Sequence, residues 1–207
     1  MCAIHIIMVS ITPARVPKVR FREPERNLPG RSPRTATAEV RFTIQFARAY
    51  MAQHVTLHHG TEKSEIACTR QIAINGFGIA DMLTVAWRPP ERGENHSSDV
   101  EFLRAQRPTI RAFEVKLNNW RKGMTQAHRY RYFANVAILV LPVESCSNAR
   151  MFLGTFRKIR VGLWGFDPHT GRIVTHFTPR PCSAMEPKYQ QRALKLVAKT
   201  TRALPFL

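Results

Sequence analysis

The sequence predicts an α/β fold in which a central mixed β-sheet is flanked by helices. Segments that read as strands alternate with segments of helical periodicity along most of the chain. The run VAILVL at residues 136–141 is fully apolar, which is typical of a strand buried between parallel neighbours. The chain has 207 residues, 44% of them hydrophobic, which is enough for one domain with a real core. We therefore expect a single sheet of about four to six strands.

The chain starts with residues 1–35, which we predict to be a basic, proline-rich arm in an extended conformation. This segment carries seven Lys/Arg residues against two acids, and five of the fourteen prolines. A solvated linker without a partner is the alternative for the same composition. Residues 36–180 are predicted to form the folded domain, and residues 181–207 to add a basic C-terminal helix that is packed on the domain or appended to it.

The first elements of the domain are predicted to be a helix and two strands. Apolar residues recur at helical spacing over residues 37–58. Residues 66–74 read as a strand, although the preceding segment TEKSE (61–65) also resembles a helix start, so a helix from Thr61 remains an alternative. The segment NGFG at residues 75–78 predicts a turn, and residues 79–87 a second strand.

The second half of the domain is predicted to contain a strand–helix–strand unit with a right-handed crossover. A polar loop over residues 88–108 precedes it. The predicted elements that follow the loop are a strand at 109–117, a helix at 118–134, a strand at 136–141, a helix at 147–159, a hairpin of strands 161–166 and 172–177, and a basic helix at 186–204.

The overall charge predicts a polyanionic partner. The chain carries 32 Lys/Arg and 14 Asp/Glu residues, a formal net charge of +18. A balance this basic favours nucleic acid first and an anionic membrane surface second. Four widely spaced cysteines without a C-x-x-C pair indicate free thiols in a reducing cytoplasm. No apolar run approaches the roughly 20 residues that span a bilayer, so no membrane insertion is expected.

Two predicted strands carry charged residues among apolar ones. Glu114 and Lys116 are two residues apart, so their side chains lie on the same strand face, about 7 Å from each other. Asp81 is the lone charge in the strand IADMLTVAW. A carboxylate in a buried strand is costly unless it is paired or binds a cation. If the two strands are neighbours, Asp81 and Glu114 form a pair of oxygen ligands suited to Mg²⁺, with Lys116 beside them.

This pattern, D81 … E114-V-K116, resembles the D-(x)n-(D/E)-x-K signature of the PD-(D/E)XK nuclease superfamily, which has a restriction-endonuclease-like core. Ala80 stands where the family name has proline. The resemblance implies metal-dependent phosphodiester hydrolysis with Mg²⁺ or Mn²⁺. It implies that Asp81 and Glu114 hold the metal, helped by the Val115 carbonyl, and that Lys116 orients the attacking water. It also allows for a homodimer.

The predicted helix after the lysine strand strengthens the resemblance. It contains Q126-A-H-R-Y130, which is similar to the Q-x-x-x-Y motif of RecB-like nucleases in this superfamily. The resemblance implies that Gln126 supports the catalytic site and that Tyr130 lies near the substrate. It covers about residues 60–142, and the order of elements there also agrees with the family.

The resemblance also implies an additional acid, usually from the first helix. The candidates are Glu65, then Glu62, then Glu39. Glu65 and Glu62 fit if the TEKSE segment is helical, and Glu39 fits if the first helix starts earlier. Glu65 is therefore the first choice as a further metal ligand.

Basic residues on the same helix are predicted to bind the nucleic acid. They are Arg121, Lys122, Arg129 and Arg131. Lys and Arg neutralise phosphates, and the interleaved Trp120 and Tyr132 can stack on unpaired bases. The sequence thus favours a cytoplasmic nuclease acting on DNA, with RNA as the second option. The rivals are a non-catalytic nucleic-acid-binding protein with the same fold, and a basic α/β scaffold protein.

Overall fold

The computed structural model of the chain describes residues 38–57, 65–74, 76–87 and 108–201. The predicted N-terminal arm, most of the polar loop over residues 88–108 and the last six residues lie outside this part of the chain, as do Thr61 and Glu62. The helices are α1 (Ala38–Leu57), α2 (Trp120–Tyr130), α3 (Cys146–Arg150), α4 (Leu153–Ile159) and α5 (Pro187–Thr201). The strands are β1 (Glu65–Ile74), β2 (Gly78–Trp87), β3 (Thr109–Val115), β4 (Val136–Pro142), β5 (Val161–Phe166) and β6 (Ile173–Phe177).

The six strands form one mixed sheet in the order β1-β2-β3-β4-β5-β6. β1, β2 and β3 are antiparallel neighbours, β3, β4 and β5 are parallel, and β6 returns antiparallel to β5. Every residue of β4 is buried, as its apolar sequence predicts for a strand with parallel neighbours on both sides. The prediction of an α/β fold with a central mixed sheet and flanking helices is confirmed.

Helix α1 covers one face of the sheet through aromatic contacts. The ring of Phe46 lies 5.5 Å from that of Phe113 on β3 and 5.6 Å from that of Phe166 on β5, both edge-to-face. All three side chains are buried. Burial of one such side chain stabilises the fold by about 1.5–3 kcal/mol, and this packing fixes the position of α1 against the middle of the sheet.

Helices α2 and α5 pack on the opposite face. Ala193 and Val197 of α5 are fully buried in the same cluster as Ile72 and Ala112 of the sheet. The Asn135 side chain accepts a hydrogen bond from the Ile110 backbone at 2.8 Å, and a second from the Gln190 amide of α5 at 3.1 Å. Helix α5 therefore belongs to the core of the sheet domain and is not a free appendage.

Several predicted boundaries differ from the structure. The predicted helix over residues 147–159 is two short helices, α3 and α4, separated at Met151 and Phe152. The predicted helix from residue 118 begins at Trp120, because Asn119 takes a left-handed conformation (φ 50°) and its side chain accepts a hydrogen bond from the Lys122 backbone. It also ends at Tyr130, four residues before the predicted end. β3 ends at Val115.

The structure also bears on the thiols and the membrane. Cys68, Cys146 and Cys182 are free thiols, and burial raises the pKa of Cys68 to about 12 and of Cys146 to about 11. Among the described helices, none combines the length and the apolar character needed to cross a membrane.

Candidate active site

The pairing of β2 with β3 brings Asp81 and Glu114 together. Met82 is the register partner of Phe113, so the next antiparallel step places Asp81 opposite Glu114. The Val115 backbone donates a hydrogen bond of 2.8 Å to Asp81 Oδ2 instead of continuing the ladder with β2. The carboxylate of Asp81 thus lies at the end of the paired region, directly against the strand that carries Glu114.

Glu114 is the buried centre of the site, with 1% of its surface exposed. Its Oε1 lies 2.7 Å from Lys116 Nζ, and its Oε2 contacts the Tyr130 hydroxyl of α2. The same hydroxyl lies 2.7 Å from the Ile79 carbonyl oxygen of β2. Both carboxylate oxygens of Glu114 therefore have polar neighbours, as a buried charge requires.

Lys116 follows directly after the end of β3. Its backbone donates a hydrogen bond of 3.0 Å to the Val140 carbonyl of β4, which fixes where the side chain starts. Its ammonium lies 2.7 Å from Glu114, 3.3 Å from Glu39 Oε1 of α1 and 3.2 Å from the Val115 carbonyl. The lysine therefore links the start of α1 to the end of β3 by an ion pair.

Gly123 in the first half of α2 allows the close approach of this helix to Lys116. A Cβ atom at Gly123 would lie 2.6 Å from Leu139 Cδ1 and 2.9 Å from Lys116 Cγ. Real Cβ atoms do not come this close, so only glycine fits between the helix and the lysine stem. Sequence reasoning missed this residue, although an isolated glycine inside a helical pattern is a signal of such a contact.

The carboxyl groups of Glu114, which is buried, and of Asp81, which is half-buried, have raised pKa values. Burial raises the pKa of Asp81 to about 7, and the neighbouring charge of Glu114 adds to this effect. Burial also raises the pKa of Glu114 above its usual value, against the opposing hydrogen bonds from Lys116 and Tyr130. A cation at this point would favour the ionised form of both groups, because it would offset the charge that burial disfavours.

Lys116 remains protonated at neutral pH. Partial burial lowers its pKa, but the hydrogen bond and charge of Glu114, together with Asp81 and Glu39, outweigh this, so the pKa of Lys116 lies above its usual value. A protonated lysine cannot accept a proton. It can donate hydrogen bonds to a water molecule or a phosphate oxygen and stabilise negative charge there.

Of the candidate helix acids, Glu39 reaches this site. Its carboxylate contacts Lys116, and 40% of its side chain is exposed. Glu65, the first choice from the sequence, begins β1 and pairs with Trp87, six residues along β2 from Asp81, or about 20 Å. The helix that would have brought Glu65 to the site is absent at that residue. Glu62 lies outside the described residues.

The structure describes both residues of the Q-x-x-x-Y motif, and it does not support the expectation that Tyr130 contacts the substrate. Tyr130 is 1% exposed and its hydroxyl points to Glu114, so it supports the carboxylate and does not reach a bound nucleic acid. Burial raises the pKa of Tyr130, so the hydroxyl stays neutral. Gln126 is half-buried, and its Oε1 atom is buried without a hydrogen-bond partner among the described residues.

The four basic residues of the α2 segment divide into two groups. Arg121, Lys122 and Arg129 are exposed, as a contact with phosphates requires. Arg131 is half-buried, and its guanidinium donates a hydrogen bond of 3.1 Å to the Ile159 carbonyl at the end of α4. This second contact gives Arg131 a role in holding α4 against α2, so the expectation that it serves the nucleic acid is not supported by its geometry.

The donor set fits a divalent cation with few protein ligands. Asp81, Glu114 and the Val115 carbonyl supply hard oxygen atoms at one place, which suits Mg²⁺ or Mn²⁺ that keep several waters. Within the described residues, no three His, Cys, Asp or Glu side chains are close enough to form a metal site by themselves. Glu39 is therefore a neighbour of Lys116 and not a third ligand in this arrangement.

Comparisons of the chain with protein-family models, with curated proteins and with solved structures found no match.

Proposed function

We propose that the chain is a Mg²⁺- or Mn²⁺-dependent nuclease that hydrolyses phosphodiester bonds in DNA. The observation that carries the proposal is a cluster of three carboxyl groups, with Glu114 fully buried among them, beside one lysine in a very basic chain. Asp81, Glu114 and Glu39 contribute three carboxyl groups around the single ammonium of Lys116, in a chain with a net charge of +18. Buried carboxylates of this kind are costly unless a cation offsets them.

Each residue of the site would have a distinct role in hydrolysis. Asp81, Glu114 and the Val115 carbonyl would hold the metal ion, which lowers the pKa of a bound water and polarises the phosphate when it is present. Lys116 would orient the attacking water and stabilise charge on the phosphate. Tyr130 would keep the Glu114 carboxylate in place. The order of elements around Asp81, Glu114 and Lys116 agrees with the resemblance to the PD-(D/E)XK superfamily.

A cleavage assay tests the proposal. Plasmid and single-stranded DNA are incubated with Mg²⁺, Mn²⁺ or a chelator, and the wild type is compared with Lys116→Ala and Asp81→Asn. We expect cleavage only with the metals, and a loss of about a hundredfold or more in both variants, because each removes a group that acts on the developing charge. Lys195→Ala, which removes an exposed lysine of α5, is the matched control. Undiminished cleavage by both variants would contradict the assignment.

A non-catalytic nucleic-acid-binding protein with the same fold is the second candidate. It is favoured by the contacts of Glu114, whose two carboxylate oxygens already have partners in Lys116 and Tyr130. In that case the charged cluster holds α1, α2 and β3 together. The same assay separates the two candidates, because this one predicts salt-dependent binding of DNA and no metal-dependent cleavage.

A further inference from the structure

An exposed aromatic patch lies at the start of α2, beside the candidate active site. It consists of Trp120, Arg121, Met151 and Phe152, and we refer to it as the stacking patch. The rings of Trp120 and Phe152 are 5.0 Å apart between centroids. The Arg121 guanidinium lies 4.4 Å from the Trp120 ring and 5.3 Å from the Phe152 ring. Two π faces and a planar cation therefore share one surface.

Two apolar side chains of the patch are exposed to solvent and not packed in the core. Phe152 is 39% exposed and Met151 is 75% exposed, and both lie where the predicted helix over residues 147–159 is broken. Phe152 is the only aromatic residue among the large hydrophobic side chains exposed in the described part of the chain. Leaving such a side chain in water gives up the free energy of its burial, so an occupant that covers it gains that energy.

Two contacts link the segments that carry the stacking patch to residues next to Lys116. Gly123, one helical turn after Trp120, lies against the stem of Lys116. The Ser145 hydroxyl, in the turn before α3, donates a hydrogen bond of 3.3 Å to the Leu117 carbonyl. Both segments that build the patch are therefore tied to the residues next to the catalytic lysine.

Arg121 and the basic residues of the neighbouring segments favour an anionic occupant. Exposed basic residues near it in sequence, on α2, α3 and α4, are Arg121, Lys122, Arg150, Arg157 and Lys158. Glu144 is the only acid in the segment 143–160. Aromatic rings that carry a guanidinium, in a segment rich in exposed basic residues, complement a polymer with flat bases and a phosphate backbone. In a duplex the base faces are covered by their neighbours, so an unpaired strand offers the free face that such a patch binds.

We propose that the stacking patch binds an unpaired nucleobase of the substrate strand, with the base against Phe152 and Trp120 and the Arg121 guanidinium beside it. The inference rests on the proposed nuclease function and specifies its substrate class as nucleic acid with a single-stranded segment. Stacking on these rings, one helical turn from the Gly123–Lys116 contact, holds the strand so that a neighbouring phosphate reaches the site. Bases stack with little regard to sequence, so the patch selects strandedness and not sequence.

Binding is measured with a fluorescent single-stranded DNA and with a blunt hairpin duplex, in the presence of a chelator so that no cleavage occurs. We expect Phe152→Ala to weaken single-strand binding by at least about fivefold, and duplex binding by less than about twofold. Phe152→Trp retains the affinity, whereas Phe152→Leu, which keeps an apolar side chain without a π face, behaves like the alanine variant. Met185→Ala, another exposed hydrophobic residue, is the matched control and binds as the wild type does.

Tryptophan fluorescence gives a second readout. Trp87 and Trp164 are buried and Trp120 is half-buried, so a bound base quenches mainly Trp120. We expect quenching by single-stranded DNA in the wild type and its loss in Trp120→Phe. A single-stranded RNA of the same length, tested in parallel, binds through the same patch, because both polymers present the same base faces.

The inference is overturned if Phe152→Ala binds single strands as the wild type does, or if Phe152→Leu restores full affinity. It is also overturned if Phe152→Ala weakens only the binding of anionic lipid vesicles. These outcomes are distinct from failure of the nuclease proposal. Single-strand binding that depends on Phe152, without any metal-dependent cleavage, supports the patch and removes the nuclease. Metal-dependent cleavage, together with unaltered single-strand binding in Phe152→Ala, supports the nuclease and excludes the role of the patch.

Discussion

Asp81 and Glu114 are neighbours across two strands, and each makes the other harder to ionise. The Val115 backbone donates a hydrogen bond to Asp81, while Glu114 contacts Lys116 and Tyr130. Placing two carboxylates beside one lysine costs free energy, because these side chains lose contact with water, and the cost depends on the three residues themselves. It therefore leads to predictions that single substitutions test.

The first prediction concerns the dependence of stability on pH. The pKa of Asp81 is about 7 in the folded protein against an ordinary value of 3.8, so the folded state binds more protons than the unfolded state between these values. The free energy of unfolding therefore falls as pH rises from about 4 to 7, on account of this group. Asp81→Asn lacks this loss and keeps an acceptor for the Val115 backbone.

We expect Asp81→Asn to be more stable than the wild type at pH 8 in a chelator, by an amount on the order of 2 kcal/mol, and the difference to disappear near pH 4. Urea unfolding across this pH range measures it. Added Mg²⁺ should stabilise only the wild type, because a bound ligand stabilises the folded state. A variant that is less stable than the wild type at pH 8 would count against the burial of an ionised pair.

The second prediction concerns the acid from the first helix. Glu39 contacts Lys116, whereas Glu65 lies at the far end of β1. We expect Glu39→Gln to slow metal-dependent cleavage by about tenfold, because Lys116 loses a partner that orients its ammonium. Glu65→Gln serves as the control and should cleave as the wild type does. Equal losses in the two variants would mean that the contact of Glu39 has no special role.

At the scale of elements, the position of the site depends on how α2 leaves β3 and lies back on it. Asn119 starts the helix in a left-handed conformation, and Gly123 allows the helix to touch the lysine stem and Leu139. A change in this contact moves the helix that carries Tyr130 relative to the strand that carries Glu114.

The third prediction tests this contact with two glycines in helices. We expect Gly123→Ala to lower the free energy of unfolding by about 1–3 kcal/mol, because its Cβ would overlap with the buried Leu139 and with Lys116. Cleavage should fall as well, since the lysine is displaced. Gly154→Ala in α4 meets nothing within 4 Å and should be neutral or stabilising by about 0.5–1 kcal/mol. Thermal unfolding and the cleavage assay measure both effects. If Gly123→Ala is as stable and as active as Gly154→Ala, the close approach of α2 to Lys116 is not required.

The sequence predicted the elements with strong periodicity. Helix α1, strands β1 and β2, the apolar β4 and the β5–β6 hairpin lie within a few residues of their predicted positions. The break between α3 and α4 was not predictable, because residues 147–159 contain neither proline nor a turn motif and the break depends on tertiary packing. The early end of α2 at Tyr130 was not predictable for the same reason, because it also depends on tertiary packing.

The candidate site was predictable where it depends on one strand and not where it depends on contacts between elements. Alternation along a strand places Glu114 and Lys116 on one face, and a lone Asp81 in an apolar strand indicates a partner. Which acid approaches Lys116 depends on the packing of α1 on the sheet, so the sequence ranked Glu39 last. The burial of Tyr130 depends in the same way on the packing of α2.

At the scale of the whole molecule, a strongly basic chain carries a cluster of carboxyl groups at the candidate site. A net charge of +18 would attract the proposed nucleic-acid partner over a long range, while Asp81 and Glu114 lie in strands of the sheet. Exposed basic residues on α2, namely Arg121, Lys122 and Arg129, extend this field next to the site.

The fourth prediction concerns this field. The affinity for single-stranded DNA, measured in a chelator, should fall linearly with the logarithm of salt concentration. Lys122→Ala should reduce the magnitude of the slope by about 0.7, the value for one lost phosphate contact with a single strand. Lys195→Ala removes the same charge from another helix, α5, and should leave the slope unchanged. Identical slopes in Lys122→Ala and the wild type would exclude a phosphate contact at this residue.

The proposed function depends on the claim that Asp81 and Glu114 hold a divalent metal ion beside Lys116. The most direct test is a crystal of the protein soaked in Mn²⁺, in which anomalous diffraction locates the metal. We predict one peak about 2.1 Å from a carboxylate oxygen of Asp81, a carboxylate oxygen of Glu114 and the Val115 carbonyl oxygen. No peak at this place, with the Glu114–Lys116 ion pair unchanged, would contradict the claim.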